Sequence, residues 1–364
     1  MGLRGRHRAR GLLAPAGVLA VAALVLLGGA ALGVKGGRHH GRAAALNAPA
    51  QSSVRTARSN LDPKRVVALG AFIPGAPKDP ERLVRYIRKT GQRPTIISYF
   101  RRWQHGTFDP PSLRTVTRNG AIPMITWEPW GYPLADIAAG RYDDFLRSVA
   151  AEARRWGHPI LVRLAHEMNG DWYPWDSAKD PGTYVRAWRH VVSMFRYLGA
   201  RNVGWVWAPN VDWGGPDLMK KLYPGDHWVD WVGLSGFSWG GPWGWQSEFD
   251  VFHNSYDTIT SFTNKPFMLA ETAAGEIGGD KAAWIRDTFT KDLRRLPHVH
   301  AVIWFNGRDQ WARWDVDSTP KALAAFRRAV AAPRYRATPA DVAAVTWKDG
   351  LRTAGDVRST DRRG

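Results

Sequence analysis

The sequence predicts an α/β fold: a closed (β/α)8 barrel preceded by an amino-terminal signal or anchor helix and a linker. Three observations carry this expectation. Eight short, almost wholly apolar runs recur between residues 66 and 305, and such runs read as strands buried on both faces of a parallel sheet. A helical or helix-compatible segment follows each run, and eight such units in about 270 residues suit one closed barrel. No glycine-rich phosphate loop follows the first run, which weighs against a doubly wound open sheet.

The elements follow in order. Arg4, Arg6, Arg8 and Arg10 precede an uncharged stretch, Gly11 to Val34, longer than the roughly 20 apolar residues that span a bilayer. Small residues at Gly29-Ala30-Ala31 suit a signal peptidase, so residues 1–34 are expected to be a cleaved signal peptide or a membrane anchor. Either places the rest outside the cytoplasm, secreted or tethered to the outer face of the cytoplasmic membrane. Residues 35–62 lack periodicity and read as a flexible linker. The barrel is expected over residues 63–332. Its strands are Val66–Ile73, Thr95–Phe100, Ile122–Trp127, Ile160–Ala165, Val203–Trp207, Trp231–Phe237, Phe267–Ala270 and Ala301–Phe305. Between them, Tyr142, Phe145, Leu146, Val149, Ala153 and Trp156 form an apolar helical stripe, as do Val185, Trp188, Val191, Val192 and Phe195. Asp79-Pro80 and Asp180-Pro181 read as capping Asp followed by Pro at the first helical position. Pro320–Val330 is the last barrel helix, and residues 333–364 read as a polar, basic tail.

Composition excludes several classes. The absence of cysteine removes disulfides, thiolate metal sites and a cysteine nucleophile. The net charge of +19 is uneven, because residues 1–60 hold nine Lys and Arg and no acid. That distribution marks membrane topology rather than a nucleic-acid surface. The expected protein is a monomer with no nucleic-acid partner, touching a membrane only through the amino-terminal helix if uncleaved. Twenty tryptophans, many beside Gly, Pro or Asp, suit flat apolar contacts with sugar rings.

Two apolar runs end abruptly in glutamate. Glu167 follows the fourth strand and Glu271 the seventh, and barrel catalytic groups lie at the carboxyl ends of strands. Paired carboxylates across one mouth suit glycoside hydrolysis of a polysaccharide substrate. Zinc is rejected, since Gly170 stands where a metalloprotease helix needs its second His, four residues after His166; no metal or cofactor is needed. Arg163 is expected to point inward and to need a carboxylate, Glu271 or Glu128, because a buried unpaired charge is costly. Glu128 ends the third strand as a third carboxylate for substrate or support, and Glu276 is the rival nucleophile. Asn169 is expected to orient the acid, bond a hydroxyl or cap its loop. Trp127, Trp172, Trp175, Trp207, Trp239 and Trp304 are the candidate cleft aromatics, of which one or two are expected in the core.

The string His166-Glu167-Met168-Asn169-Gly170-Asp171-Trp172 resembles the signature of glycoside hydrolase family 26, the β-mannanase family, which also contains mixed-linkage β-glucanases. The resemblance extends through Trp207-Ala208-Pro209-Asn210, Tyr223-Pro224-Gly225, Val229-Asp230-Trp231-Val232-Gly233 and Lys265-Pro266-Phe267-Met268-Leu269-Ala270-Glu271. It implies a retaining, endo-acting enzyme with Glu167 as acid/base and Glu271 as nucleophile. It also implies sugar contacts from His166 and Trp172, and Trp304 as an aromatic at the base of the −1 subsite. One position departs: Phe237 stands in Ser235-Gly236-Phe237-Ser238-Trp239 where the family places a tyrosine beside the nucleophile. That departure keeps open a catalytically weak or inactive carbohydrate-binding protein of the cell envelope or an exopolysaccharide. A basic protein held to anionic polymers by its tails is the third reading. Under the enzyme reading, Glu271→Ala is expected to abolish turnover and leave folding intact.

Overall fold

The computed structural model describes residues 66–347, apart from residue 107, residues 212–213 and residues 309–311. The signal or anchor expected at residues 1–34, the linker at 35–62 and the end of the tail lie outside the described residues. Eight parallel strands close into a barrel in chain order: β1 (Ala68–Phe72), β2 (Ile96–Arg102), β3 (Ile122–Glu128), β4 (Ile160–Leu164), β5 (Val203–Trp207), β6 (Trp231–Ser238), β7 (Phe267–Ala274) and β8 (Val299–Phe305). The ring shuts where Leu69 pairs with Val302. Around it lie α1 (Pro80–Thr90), α2 (Pro110–Arg118), α3 (Leu134–Ala138), α4 (Asp143–Trp156), α5 (Pro181–Tyr197), α6 (Gly215–Leu222), α7 (Glu248–Thr260), α8 (Lys281–Thr290) and α9 (Pro320–Val330). The capping pairs read from sequence close helix ends as expected. Asp79 accepts from the Glu81 amide at the start of α1, and Asp180 from the Thr183 amide at the start of α5.

Alternation along each strand splits the core in two. Ala68, Ile96, Met124, Leu161, Val206, Met268 and Ile303 fill the barrel interior. Leu69, Ile97, Ile125, Val162, Trp207, Leu269 and Val302 face the helices. One strand breaks this rhythm. In β7, Met268 and Ala270 point inward, so Glu271 should point outward. The pairing with β6 slips there, from Leu234 opposite Leu269 to Ser235 opposite Glu271. A bulge of this kind re-aims a side chain. Glu271 therefore turns inward beside Ala270, and Thr272 turns outward to bond Glu248 of α7 at 2.9 Å.

The segment after Pro333 differs from the expected loose tail. It folds through Trp347, ending in α10 (Pro339–Thr346), whose Thr338 and Asp341 form a reciprocal capping box. Val342 is buried among the barrel-interior residues, Trp231 donates to Thr346 Oγ1 at 2.7 Å, and Trp347 donates to the Arg201 carbonyl at 2.9 Å. The barrel floor, walled by strand-initial residues, needs an apolar plug, and the sparse apolar residues of this stretch supply it. Val342→Ala is expected to cost about 1–3 kcal/mol, as buried truncations do. At roughly 2–4 °C per kcal/mol, thermal denaturation reads the loss directly. An unchanged midpoint would show that the plug carries no stability.

Candidate active site

The fourth strand delivers Glu167 through a strained turn. Ala165 and Glu167 both adopt left-handed backbone, with φ of 41° and 52°, which costs non-glycine residues free energy. The neighbouring strands hold the turn: the Ala165 amide bonds the Trp127 carbonyl at 3.1 Å, and the Glu167 amide bonds the Ala208 carbonyl at 2.8 Å. Glu167 is buried and its Oε2 accepts from Trp172 Nε1 at 2.9 Å. Gly170 makes room for that indole, since a Cβ there would lie 2.3 Å from the Trp172 ring.

Glu271 forms a direct ion pair with Arg163, and both side chains are buried. The guanidinium is held on two further sides, donating from Nε to Thr126 Oγ1 at 3.0 Å and from Nη1 to Ser235 Oγ at 3.2 Å. The expectation of an inward arginine seeking a carboxylate is met by Glu271. Phe237 takes no part in this contact. Its ring packs on Trp314 at 5.0 Å and edge-on to Phe305 at 5.6 Å.

The two carboxylates sit in opposite electrostatic settings. Burial, then the charge of Glu271, pushes Glu167 up to about 7, against the opposing pull of Arg163 and of hydrogen bonds from Trp172 and Ser235. Glu271 has a buried cation bonded directly to it. Glu167 is thus suited to carry a proton near neutrality.

His166 is buried, and its Nε2 lies 3.0 Å from the Tyr173 hydroxyl. Desolvation and then Arg163 hold it well below the ordinary histidine range, so the ring is neutral. Its Nδ1 has no hydrogen-bond partner among the described residues. Tyr173 stacks on Trp175, which donates to the His166 carbonyl at 2.7 Å. Glu128 turns inward at the end of β3, 4.0 Å from Arg102 Nε, and burial pushes it up to about 7.

Several expected sugar contacts prove structural. Trp127, Trp207 and Trp304 occupy the outward face of their strands and pack under the helices. Trp127 meets Trp103, Phe145 and Phe195; Trp207 meets Tyr223 and Phe262; Trp304 meets Trp284 and Phe326. Trp175 is likewise buried as a support for His166. Asn169 uses its amide on Asn210, donating to the carbonyl at 2.9 Å and accepting from the amide at 2.8 Å, so it ties the loops after β4 and β5. Glu276 accepts from the Ser318 hydroxyl in the loop beyond β7. Trp239 is half-buried against Phe237, Trp243 and Trp314.

A cavity of about 410 Å³ opens at the barrel mouth on the β1, β2, β3 and β8 side. Glu128, Phe100 and Tyr173 line it, and these same residues border Arg163 and His166. Phe72, Trp130 and Phe305 complete its aromatic wall, with Phe72 and Phe305 stacked at 4.5 Å. None of these three stood among the sequence candidates. Phe305 is the inward neighbour of Trp304, one residue beyond the aromatic chosen from sequence.

Comparison with known proteins adds an independent finding. The profile of glycosyl hydrolase family 26 matches residues 139–313. The chain is 36% identical over 275 residues to Endoglucanase H of Acetivibrio thermocellus, covering 72% of this chain and 30% of that protein. It is 26% identical over 235 residues to a mannan endo-1,4-beta-mannosidase of Bacillus subtilis, covering 52% of this chain and 60% of the relative. The chain therefore spans less than two thirds of either relative. Among solved structures, a modular endo-beta-1,4-mannanase from Cellulomonas fimi superposes with a TM-score of 0.58 at 18% identity, over 77% of this chain and 74% of that one. At that identity the likeness concerns the barrel fold.

Proposed function

The chain belongs to glycosyl hydrolase family 26, and from that premise we propose that it is a retaining, endo-acting hydrolase of a β-linked polysaccharide of the β-mannan or mixed-linkage β-glucan type. The observation that carries the reading is the pair of buried carboxylates at one mouth, one bonded to Arg163 and the other pushed up to about 7. Glu271 attacks the anomeric carbon while Glu167 gives its proton to the leaving oxygen. Glu167 then takes a proton from the water that releases the glycosyl-enzyme. Arg163 orients the nucleophile by bonding its carboxylate directly, a task that a tyrosine hydroxyl in place of Phe237 would share. The neutral His166 ring offers its unpartnered Nδ1 to a sugar hydroxyl, and Trp172 positions the acid while facing the glycan.

The arginine-flanked leader before an uncharged stretch supports a site of action outside the cytoplasm, secreted or tethered. The test is reducing-end release across mannan, mixed-linkage glucan and xylan, with the anomeric form of the first product followed by proton NMR. Chain-length scission with an initial β anomer is expected. An initial α anomer would refute the double displacement, and glycan binding without any new reducing ends would favour the non-catalytic reading that Phe237 raises.

Trp172 gives a directional pH prediction. Its bond to Glu167 favours the carboxylate and lowers the affinity of that group for a proton. Trp172→Phe removes the bond, so the acid keeps its proton to higher pH. The basic limb of kcat/KM, expected near 7 in the wild type, should move upward, and a downward move would contradict the assignment.

A further inference from the structure

The cavity at the barrel mouth carries more cations than a neutral sugar requires. On α1, Arg82, Arg85 and Lys89 follow helical spacing, so one face of that helix presents three cations to the cavity. Arg102 from the end of β2 and Arg308 from the loop after β8 stand among the same lining residues. The acids there are Glu128, Asp315 and Asp317. Asp317 pairs with Lys89, while Asp79, outside the cavity, serves both Arg82 at 3.1 Å and Arg85 at 4.0 Å. Arg82, Arg85 and Lys89 are each about half exposed, so their remaining donors face solvent that a ligand can displace. Arg102 lies 4.8 Å from the Trp130 ring centroid, which fixes a guanidinium on the aromatic wall. Glu128, pushed up to about 7, is only a partial counter-charge to it.

Arginine donates in a planar fork that matches a carboxylate and accepts nothing. A wall built mostly of such donors, set over Phe72, Phe100, Phe305 and Trp130, suits a pyranose that stacks on the rings and points an anionic group outward. We propose that this cavity binds sugar units bearing carboxylates, so that the substrate is a β-linked polysaccharide carrying uronate or similarly carboxylated residues on the side of the cleavage point that the cavity serves. The inference rests on the hydrolase reading for its cleavage point and adds the substrate's charge class.

Binding and turnover are measured separately, so that the two readings fail separately. The Glu271→Gln protein, full length, is titrated with oligomers of β-1,4-mannuronate and with β-1,4-mannan oligomers of equal length. Tighter binding of the mannuronate by about tenfold or more at low salt is expected, shrinking as salt screens the exposed cations. Two further triple variants are made in the same background. Arg82→Gln/Arg85→Gln/Lys89→Gln empties the α1 face. Arg118→Gln/Arg155→Gln/Lys220→Gln removes the same charge from exposed positions on α2, α4 and α6. Loss of the preference in the first and its retention in the second is the expected result. Equal affinity for both oligomers, or equal loss in both triple variants, overturns the inference. If the preference holds while the wild type cleaves no polymer, the hydrolase reading fails and the binding inference stands. If neutral mannan is cleaved and no charge preference exists, the reverse is true.

Discussion

Glu271→Gln is expected to lose turnover by about 10⁴-fold or more, the scale on which removal of a covalent nucleophile acts, and to lose less stability than Glu271→Ala because the side chain still bonds Arg163. The amide keeps an oxygen for Arg163 but, being neutral, is too weak a nucleophile to attack the anomeric carbon. Glu271→Ala should lose turnover equally but also lose stability. Arg163 is fully buried and Glu271 is its direct carboxylate partner, so truncation strands a cation inside the barrel. Breaking one side of a buried pair costs about 3–5 kcal/mol. This replaces the expectation, drawn from sequence, that the alanine variant leaves folding intact. Formate should raise the melting temperature of the alanine variant by refilling the space beside Arg163, and should leave the glutamine variant unmoved. Near-wild-type turnover in either variant would end the nucleophile assignment. An alanine variant that melts like the wild type would show that Arg163 finds another partner.

Why some residues were legible and others were not follows from strand geometry. Fully apolar strands give the count and order of the barrel, because parallel strands are buried on both faces. The same property hides which residues face inward. A slip of one position exchanges the two faces, and nothing in Val302-Ile303-Trp304-Phe305 marks the parity. Trp127, Trp207 and Trp304 were therefore placed in the cleft when they lie under the helices, and Phe305 was missed one residue away. Charged residues broke the ambiguity. Arg163 inside an apolar strand calls for a buried carboxylate, and of the two the sequence offered, Glu271 and Glu128, the structure supplies Glu271. The bulge at Ala270 and Glu271 left no trace in the sequence, although without it Glu271 would face α7. Trp175 was placed in the cleft for a different reason: its indole is used on the His166 carbonyl, brought close only by the fold, whereas Asn169 ties its loop as one of its expected roles. The cavity wall was hardest to foresee, since Arg82, Arg85 and Lys89 read from sequence as an ordinary solvated helix face.

Glu167→Gln separates the two chemical steps. The amide can still accept from Trp172 and has no proton to give, so cleavage of polysaccharide should fall by about 10²–10⁴-fold, the usual worth of general acid catalysis. An aryl glycoside whose phenolate departs unaided should lose far less in its first step. The variant should then show a burst of phenolate followed by slow release, because no base activates water. In the wild type, kcat/KM should fall as pH rises past about 7, since the proton required of Glu167 is lost there; in the variant that limb should vanish. Persistence of the limb would move the acid role elsewhere, with Glu128 the nearest carboxyl of similar proton affinity. Under the proposed double displacement, the same surroundings would let Glu167 serve as acid and then as base. After burial, the charge of Glu271 is the largest influence holding the proton on Glu167. Once Glu271 becomes a neutral glycosyl ester that influence disappears, while Arg163 and the Trp172 bond continue to favour the carboxylate. Glu167 should then titrate below 7 in the trapped glycosyl-enzyme, which carbon-13 NMR of the labelled carboxyl can measure. An unchanged or raised value would mean that the exchange of roles is driven by something other than the charge of its partner.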